Sequence, residues 1–170
     1  MSSTIWKAAI RLALALAGAT LLPAQNIELS ATGGLGVTAG DDQARGFTTG
    51  GGASLAWLSE GGQGLKLDYF FGNNRKDAFT QHFVTGSYVI QQRSGTARPF
   101  FQVGAGILRG DRKEALTAPS GGDTDFAAIV GCGVTLDFGS AFFIRPELRS
   151  YWYAGPTVAV LPAVSLAWRF

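Results

Sequence analysis

The feature that most constrains this chain is an alternation of period two that recurs from Asn26 to Phe170. Successive side chains of a strand point to opposite faces, so period two marks strands, and no helical period longer than a couple of turns interrupts it. Eight runs follow, at roughly 26–39, 46–58, 64–72, 79–92, 99–109, 124–138, 142–153 and 157–170. The chain is expected to be all-β, and an even number of strands suits closure into a simple meander.

Writing out the faces shows what kind of sheet this is. In the last run one face carries Val158, Val160, Pro162, Val164, Leu166, Trp168 and Phe170, and the other Leu161, Ala163, Ser165, Ala167 and Arg169. The seventh run opposes Ile144, Pro146, Leu148 and Trp152 to Arg145, Glu147, Arg149 and Tyr151, and the third opposes Leu65, Leu67, Tyr69 and Phe71 to Lys66, Asp68 and Phe70. A soluble sandwich or lipocalin would also alternate, so the composition of the faces has to decide. The less apolar face mixes Gly, Ala, Ser and Thr with Glu28, Lys66, Asp68, Asp125, Arg145, Glu147 and Arg149. A water-facing surface rarely needs so many small residues, whereas the narrow interior of an eight-stranded barrel does. The 24 glycines fit that demand, being about twice the ordinary usage of ~7%. With lipid on the other face, the expectation is an eight-stranded antiparallel up-and-down transmembrane β-barrel, with a soluble secreted β-sandwich as the fold-level alternative.

Threading supports the barrel. If both termini are periplasmic, the connections at 59–63, 93–98 and 139–141 are inner turns, and those at 40–45, 73–78, 110–123 and 154–156 are outer loops. The longest, "GDRKEALTAPSGGD", then falls outside, as outer-membrane barrels have it, although 154–156 is short for an outer loop. Trp57, Phe101, Phe138, Trp168 and Phe170 fall near the inner interface, and Phe47, Tyr69, Phe71, Phe126 and Trp152 near the outer one. Two aromatic girdles are thereby predicted.

The first residues read as an address. Lys7 and Arg11 precede an apolar run from Leu12 to Ala19, followed by small residues in Ala17-Gly18-Ala19 and Leu22-Pro23-Ala24. Basic, apolar, then small-x-small is the layout of a secretory signal, and the apolar run is well short of the ~20 residues that cross a bilayer as a helix. Residues 1–24 are read as a signal peptide cleaved after Ala24, and 25–170 as the barrel domain. A lipid anchor would need a Cys at the junction, and the single cysteine is Cys132.

Charge and ligand residues exclude several functions. Removing Lys7 and Arg11 from the 14 basic residues leaves 12 against 12 acidic ones. Bulk charge therefore supports no nucleic-acid partner. One Cys and one His, His82, support neither an intramolecular disulfide nor a zinc site, and no cofactor is expected.

The stretches "RPFFQVGAGILRG" and "FAAIVGCGVTLDFGSAFFIRPELRSYWY", with the closing "VSLAWRF", resemble the small OmpA/OmpX-type outer-membrane β-barrel family. The resemblance rests on the aromatic and Gly-x-Gly pattern at Phe101, Gly104 and Gly106, on Arg145-Pro146-Glu147, and on the terminal Phe170. It implies an outer-membrane location in a diderm bacterium. The implied partners are outer-membrane lipids and lipopolysaccharide, the outer-membrane assembly machinery and periplasmic chaperones. It also implies that Val164, Leu166, Trp168 and Phe170 form the C-terminal signal that this machinery reads. Members of the family serve as anchors, adhesion or defence surfaces and, in a few cases, enzymes. No peptidoglycan-binding domain is expected to follow the barrel.

Within that frame the charges Glu28, Lys66, Asp68, Asp125, Arg145, Glu147 and Arg149 are candidates for an interior polar network, in which opposite signs pair at low effective dielectric. Such a network serves as a plug, or alternatively as a narrow ion path. Eight strands leave room only for side chains, which favours the plug. A lipid-modifying enzyme is the other alternative. It would need a nucleophile beside a base, yet His82 and Ser87 have opposite parity and should point to opposite faces. His82 is placed near the outer rim, Cys132 on the lipid face as a small hydrophobe, and the long outer loop in solvent or against a partner surface. The expected role is structural or surface interaction, without catalysis.

Overall fold

A computed structural model of the chain describes residues 26–39, 46–74, 79–112, 123–139, 141–153 and 157–170. The expected signal peptide and outer loops lie largely or wholly outside the described residues. Eight strands run β1 (Asn26–Ala39), β2 (Gly46–Leu58), β3 (Gln63–Asn74), β4 (Phe79–Gln91), β5 (Ala97–Arg112), β6 (Asp123–Asp137), β7 (Phe142–Tyr153) and β8 (Thr157–Arg169). Each pairs antiparallel with its sequence neighbours, and β1 pairs with β8 from Glu28↔Arg169 to Ala39↔Val158, so the sheet closes into a barrel. The last residue joins the seam, Phe170 N–H donating to the Ile27 carbonyl at 2.9 Å. The all-β, eight-stranded meander read from the alternation is the fold. β3 and β5 are longer than the alternation suggested, because both continue their pairing with β4 outward, to Asn74↔Phe79 and Phe79↔Arg112.

Which face meets which surroundings is settled by exposure. Among the described residues 24 large hydrophobic side chains are exposed, while 18 polar or charged ones are buried. In water that exterior would cost on the order of tens of kcal/mol, against a net domain stability of about 5–15 kcal/mol. A soluble sandwich is thereby excluded and hydrocarbon is the fitting solvent, since only a closed barrel satisfies every strand edge there. All ten residues assigned to the aromatic girdles, from Trp57 to Phe170 and from Phe47 to Trp152, are exposed on the outer wall.

The interior differs from the expectation in one respect. It is not only small and charged, for Phe70, Phe83, Leu108, Ile129, Tyr151, Tyr153 and Leu161 form a buried apolar cluster, and Leu58, Val89 and Phe100 form another. The bore is wide enough at these levels to require large side chains, and aromatic rings fill it with few rotatable bonds. Phe83 packs on Tyr151 with ring centroids 4.5 Å apart.

Glycines set the local curvature. Gly62, Gly95 and Gly139 have φ of 71°, 106° and 106° in the three short turns after β2, β4 and β6, a conformation that other L-residues rarely adopt. On β5, a Cβ at Gly106 would collide with the Val84 carbonyl and lie 2.6 Å from the Thr85 Cα. Gly106→Val is therefore expected to lower stability by at least ~1–3 kcal/mol, measured as a shift of the urea unfolding midpoint of the barrel in lipid vesicles.

Two seams are incomplete. Pairing of β8 with β1 skips from Gly34↔Ala163 to Val37↔Val160, and pairing of β6 with β7 skips from Gly133↔Glu147 to Leu136↔Ile144. Pro162 lies in the first gap and Pro146 in the second. Neither has an N–H to donate across its ladder. The other six seams are paired without a break.

Candidate functional site in the barrel interior

The segment "RPELRSY" of β7 places Arg145, Glu147, Arg149 and Tyr151 at alternate positions, and all four point inward. On the opposite wall "KLDYF" of β3 turns Lys66, Asp68 and Phe70 to the same bore. The strands are four apart in a ring of eight, so their charges meet across the centre. Arg149 Nη2 lies 2.6 Å from Glu147 Oε1 and 3.3 Å from Asp68 Oδ1. Lys66 Nζ lies 3.1 Å from Asp68 Oδ1 and 3.5 Å from Glu147 Oε2. Two cations and two anions alternate around a square, and each charge has two opposite neighbours. Lys66 and Arg149 are each only 1% exposed, so none of these charges has water as an alternative partner and the pairing has to be complete.

Neutral groups hold the square in place. Ser165 Oγ donates to Glu147 Oε1 at 2.6 Å and shares a 2.7 Å hydrogen bond with the Thr32 hydroxyl, and Lys66 donates to Gln102 Oε1 at 3.3 Å. Asp68 meets both cations at ion-pair distance without a well-aligned hydrogen bond.

A second cluster closes the inner end. Arg145 Nη2 donates to Glu28 Oε2 at 2.7 Å and its Nε to Thr135 Oγ1 at 3.1 Å. Its guanidinium lies between the Phe100 and Phe143 rings, 4.9 Å from each centroid. Cation–π contact in a desolvated site is worth about 2 kcal/mol or more, and it suits arginine because the planar group stacks. Arg169 donates to the other oxygen of Glu28, Oε1, at 2.8 Å, and Arg98 pairs with Asp137 at 2.7 Å. A cavity of about 70 Å³ lined in part by Asn26, Glu28, Arg98 and Arg169 opens at this mouth. Toward the outer half, the space between Thr38, Thr48, Phe70, Gln81, Phe83 and Tyr151 amounts to about 10 Å³, at most the room of a single water.

Of the residues singled out from the sequence, Glu28, Lys66, Asp68, Arg145, Glu147 and Arg149 come together in these two clusters. Asp125 stands apart, half-buried at the outer end of β6 opposite Leu108, outside both clusters. Its parity is inward but its height is wrong, and alternation carries no information on height. Gln91, Gln102, Thr135, Ser165, Arg169, Phe100 and Phe143 were missed as members, although parity alone puts Ser165 and Arg169 on the inward face. On the outer wall His82 is half-exposed whereas Ser87 is buried in the bore, so these two do not meet. Among the described residues no group of His, Cys, Asp and Glu could hold a metal ion. Val164, Leu166, Trp168 and Phe170 form one outward row, and the Trp168 and Phe170 rings stack at 5.5 Å.

A closed sheet of eight strands, apolar and aromatic-banded outside and ion-paired within, defines a transmembrane β-barrel. Known structures of outer-membrane barrels carry the same fold. Neisserial surface protein A is 11% identical with a TM-score of 0.69, over 85% of this chain and 96% of that one. Ail, the attachment invasion locus protein of Yersinia pestis, solved with the heparin analogue sucrose octasulfate, is 12% identical with a TM-score of 0.63, over 85% and 98%. The outer membrane enzyme PagL is 16% identical with a TM-score of 0.57, over 83% and 98%. No family model matches the sequence, and no curated protein matches it. A surface protein, an attachment protein and an enzyme share this architecture, so the likeness speaks to fold and not to role.

Proposed function

We propose that the protein is an outer-membrane barrel with a structural or surface-interaction role, exported by residues 1–24 and sealed along its bore. The observation that carries this reading is the charge square that braces β3 against β7 across the centre. A conducting path would have to break four ion pairs among buried side chains, and the space described beside Phe70, Phe83 and Tyr151, about 10 Å³, is far too small for a hydrated ion. The role then lies on the outside, in the outer connections and the lipid-facing wall. Its partners are outer-membrane lipids and lipopolysaccharide along the wall, with the assembly machinery and periplasmic chaperones during biogenesis. The separation of His82 from Ser87 on opposite faces of β4 weighs against a lipid-modifying enzyme built on that pair.

The test has two parts. Cell fractionation should place the protein in the outer membrane, with a gel mobility that shifts on boiling. The purified barrel in planar bilayers should give no discrete conductance steps. Steady single-channel openings from the wild-type barrel would overturn the sealed bore and favour the narrow channel.

A further inference from the structure

Seven of the eight seams join strands that are consecutive in the chain, and in such hairpins the connection fixes the register. The eighth, between β1 and β8, has no connection across it. Its ladder is interrupted opposite Pro162, and its lipid-facing row does not discriminate. Leu29, Leu35 and Val37 of β1 and Val164, Leu166 and Trp168 of β8 are all exposed on the wall. A slip of two residues keeps every side chain on its face and again sets apolar beside apolar. Hydrocarbon does not tell these registers apart.

The inward row does distinguish them. Because Phe170 N–H donates to the Ile27 carbonyl, backbone bonds across this seam join the outward-facing opposites. The inward-facing opposites Glu28↔Arg169, Ser30↔Ala167 and Thr32↔Ser165 are then the non-hydrogen-bonded pairs, whose side chains approach most closely. Arg169 donates to Glu28 Oε1 through Nε and Nη2, at 3.1 and 2.8 Å, and the Thr32 and Ser165 hydroxyls share a hydrogen bond of 2.7 Å. Glu28 is 2% exposed, its other oxygen is bonded to Arg145, and the Arg169 guanidinium rests 5.0 Å from the centre of the Phe143 ring. A slip of two residues in either direction takes Arg169 off Glu28 and sets Thr32 against Ala163 or Ala167. Both marks fail together, and a buried carboxylate oxygen loses its donors.

We propose that the Glu28–Arg169 and Thr32–Ser165 pairs are a register key for closure of the ring, a conformational device that selects one pairing of β1 with β8 among those the lipid-facing wall accepts. The ionic pair marks the inner end of the seam and the hydroxyl pair marks a level further into the bore. Two marks on one row fix both the position of β8 and its alignment along β1.

The experiment uses the whole barrel refolded into detergent micelles, and reads the register by NMR from contacts between the Hα protons of opposed inward residues. Wild-type protein should show Ser30 against Ala167 and against no other residue of β8. Thr32→Val with Arg169→Gln should still give a barrel that shifts on boiling, but contacts of Ser30 with position 165 or 169 should appear. The ratio of slipped to native register should rise roughly tenfold or more, the weight of one charge-assisted hydrogen bond. Thr32→Val with Arg169→Lys keeps the cation and should hold the native register. A heat-modifiable glutamine variant that shows the Ser30–Ala167 contact alone would overturn the key, and so would slipped contacts of equal strength in the wild-type protein. Equal slipping of the lysine and glutamine variants would remove the ionic mark. Where the glutamine double variant gives no heat-modifiable barrel, Arg169→Gln alone is refolded; it keeps the hydroxyl pair and should close severalfold more slowly, read as the rate at which the heat-modifiable band appears. An unchanged rate with native contacts only overturns the role given to Arg169.

Discussion

Arg149→Met is expected to lower the unfolding free energy of the barrel by about 3–5 kcal/mol, the loss typical when one partner of a buried ion pair is removed. The methionine fills much of the same volume, so the effect isolates charge from packing. In the native barrel Asp68 and Glu147 are each shared between Arg149 and Lys66. Without the arginine two carboxylates face a single ammonium, all three of them buried. Adding Asp68→Asn to the same chain restores the balance of one cation and one anion and should recover part of the loss. The measurement is urea unfolding in lipid vesicles, followed by boiling-dependent mobility. A single variant with the wild-type midpoint would remove the bracing role from the square.

Deleting Phe170 is expected to lower the amount of assembled barrel in cells severalfold while leaving refolding of the purified chain into detergent nearly intact. The physical contribution of this residue to the finished structure is modest. It supplies one seam hydrogen bond, to Ile27, and a stacked ring on Trp168 that already faces outward. If its importance lay in stability, the two measurements would fall together. If it lies in recognition of the outward row Val164, Leu166, Trp168 and Phe170, only assembly in the cell falls. Equal losses in both, or normal assembly in cells, would remove the signal role.

How much of this could be read from the chain depends on what period two encodes. It encodes the face on which each side chain sits, and β7 shows the gain: Arg145, Glu147 and Arg149 were assigned inward from spacing alone and all three are buried. It does not encode how far along the barrel axis a residue sits. Asp125 was grouped with Asp68 for the same parity, although the stagger of tilted strands places it at the outer end. Nor does spacing show how wide the bore is at a given height, which is why Phe83 and Phe143 were not recognised as fillers. Neighbours across strands are harder still to read. His82 was visible as a single rim histidine, but the pairing of Phe71, His82 and Arg109 in one row follows from the register of three strands.

The two proline-marked gaps have a consequence for how the ring is tied. β7 and β8 are laced to each other along their whole length, while each outer edge of that hairpin carries the one interrupted ladder on its side. The circle thus consists of a six-strand arc and a two-strand staple, joined along the two lines whose ladders are interrupted. The edges of the last hairpin are where these ladders break, and amide exchange should begin at Leu35 and Val134 before it reaches the interior of the arc.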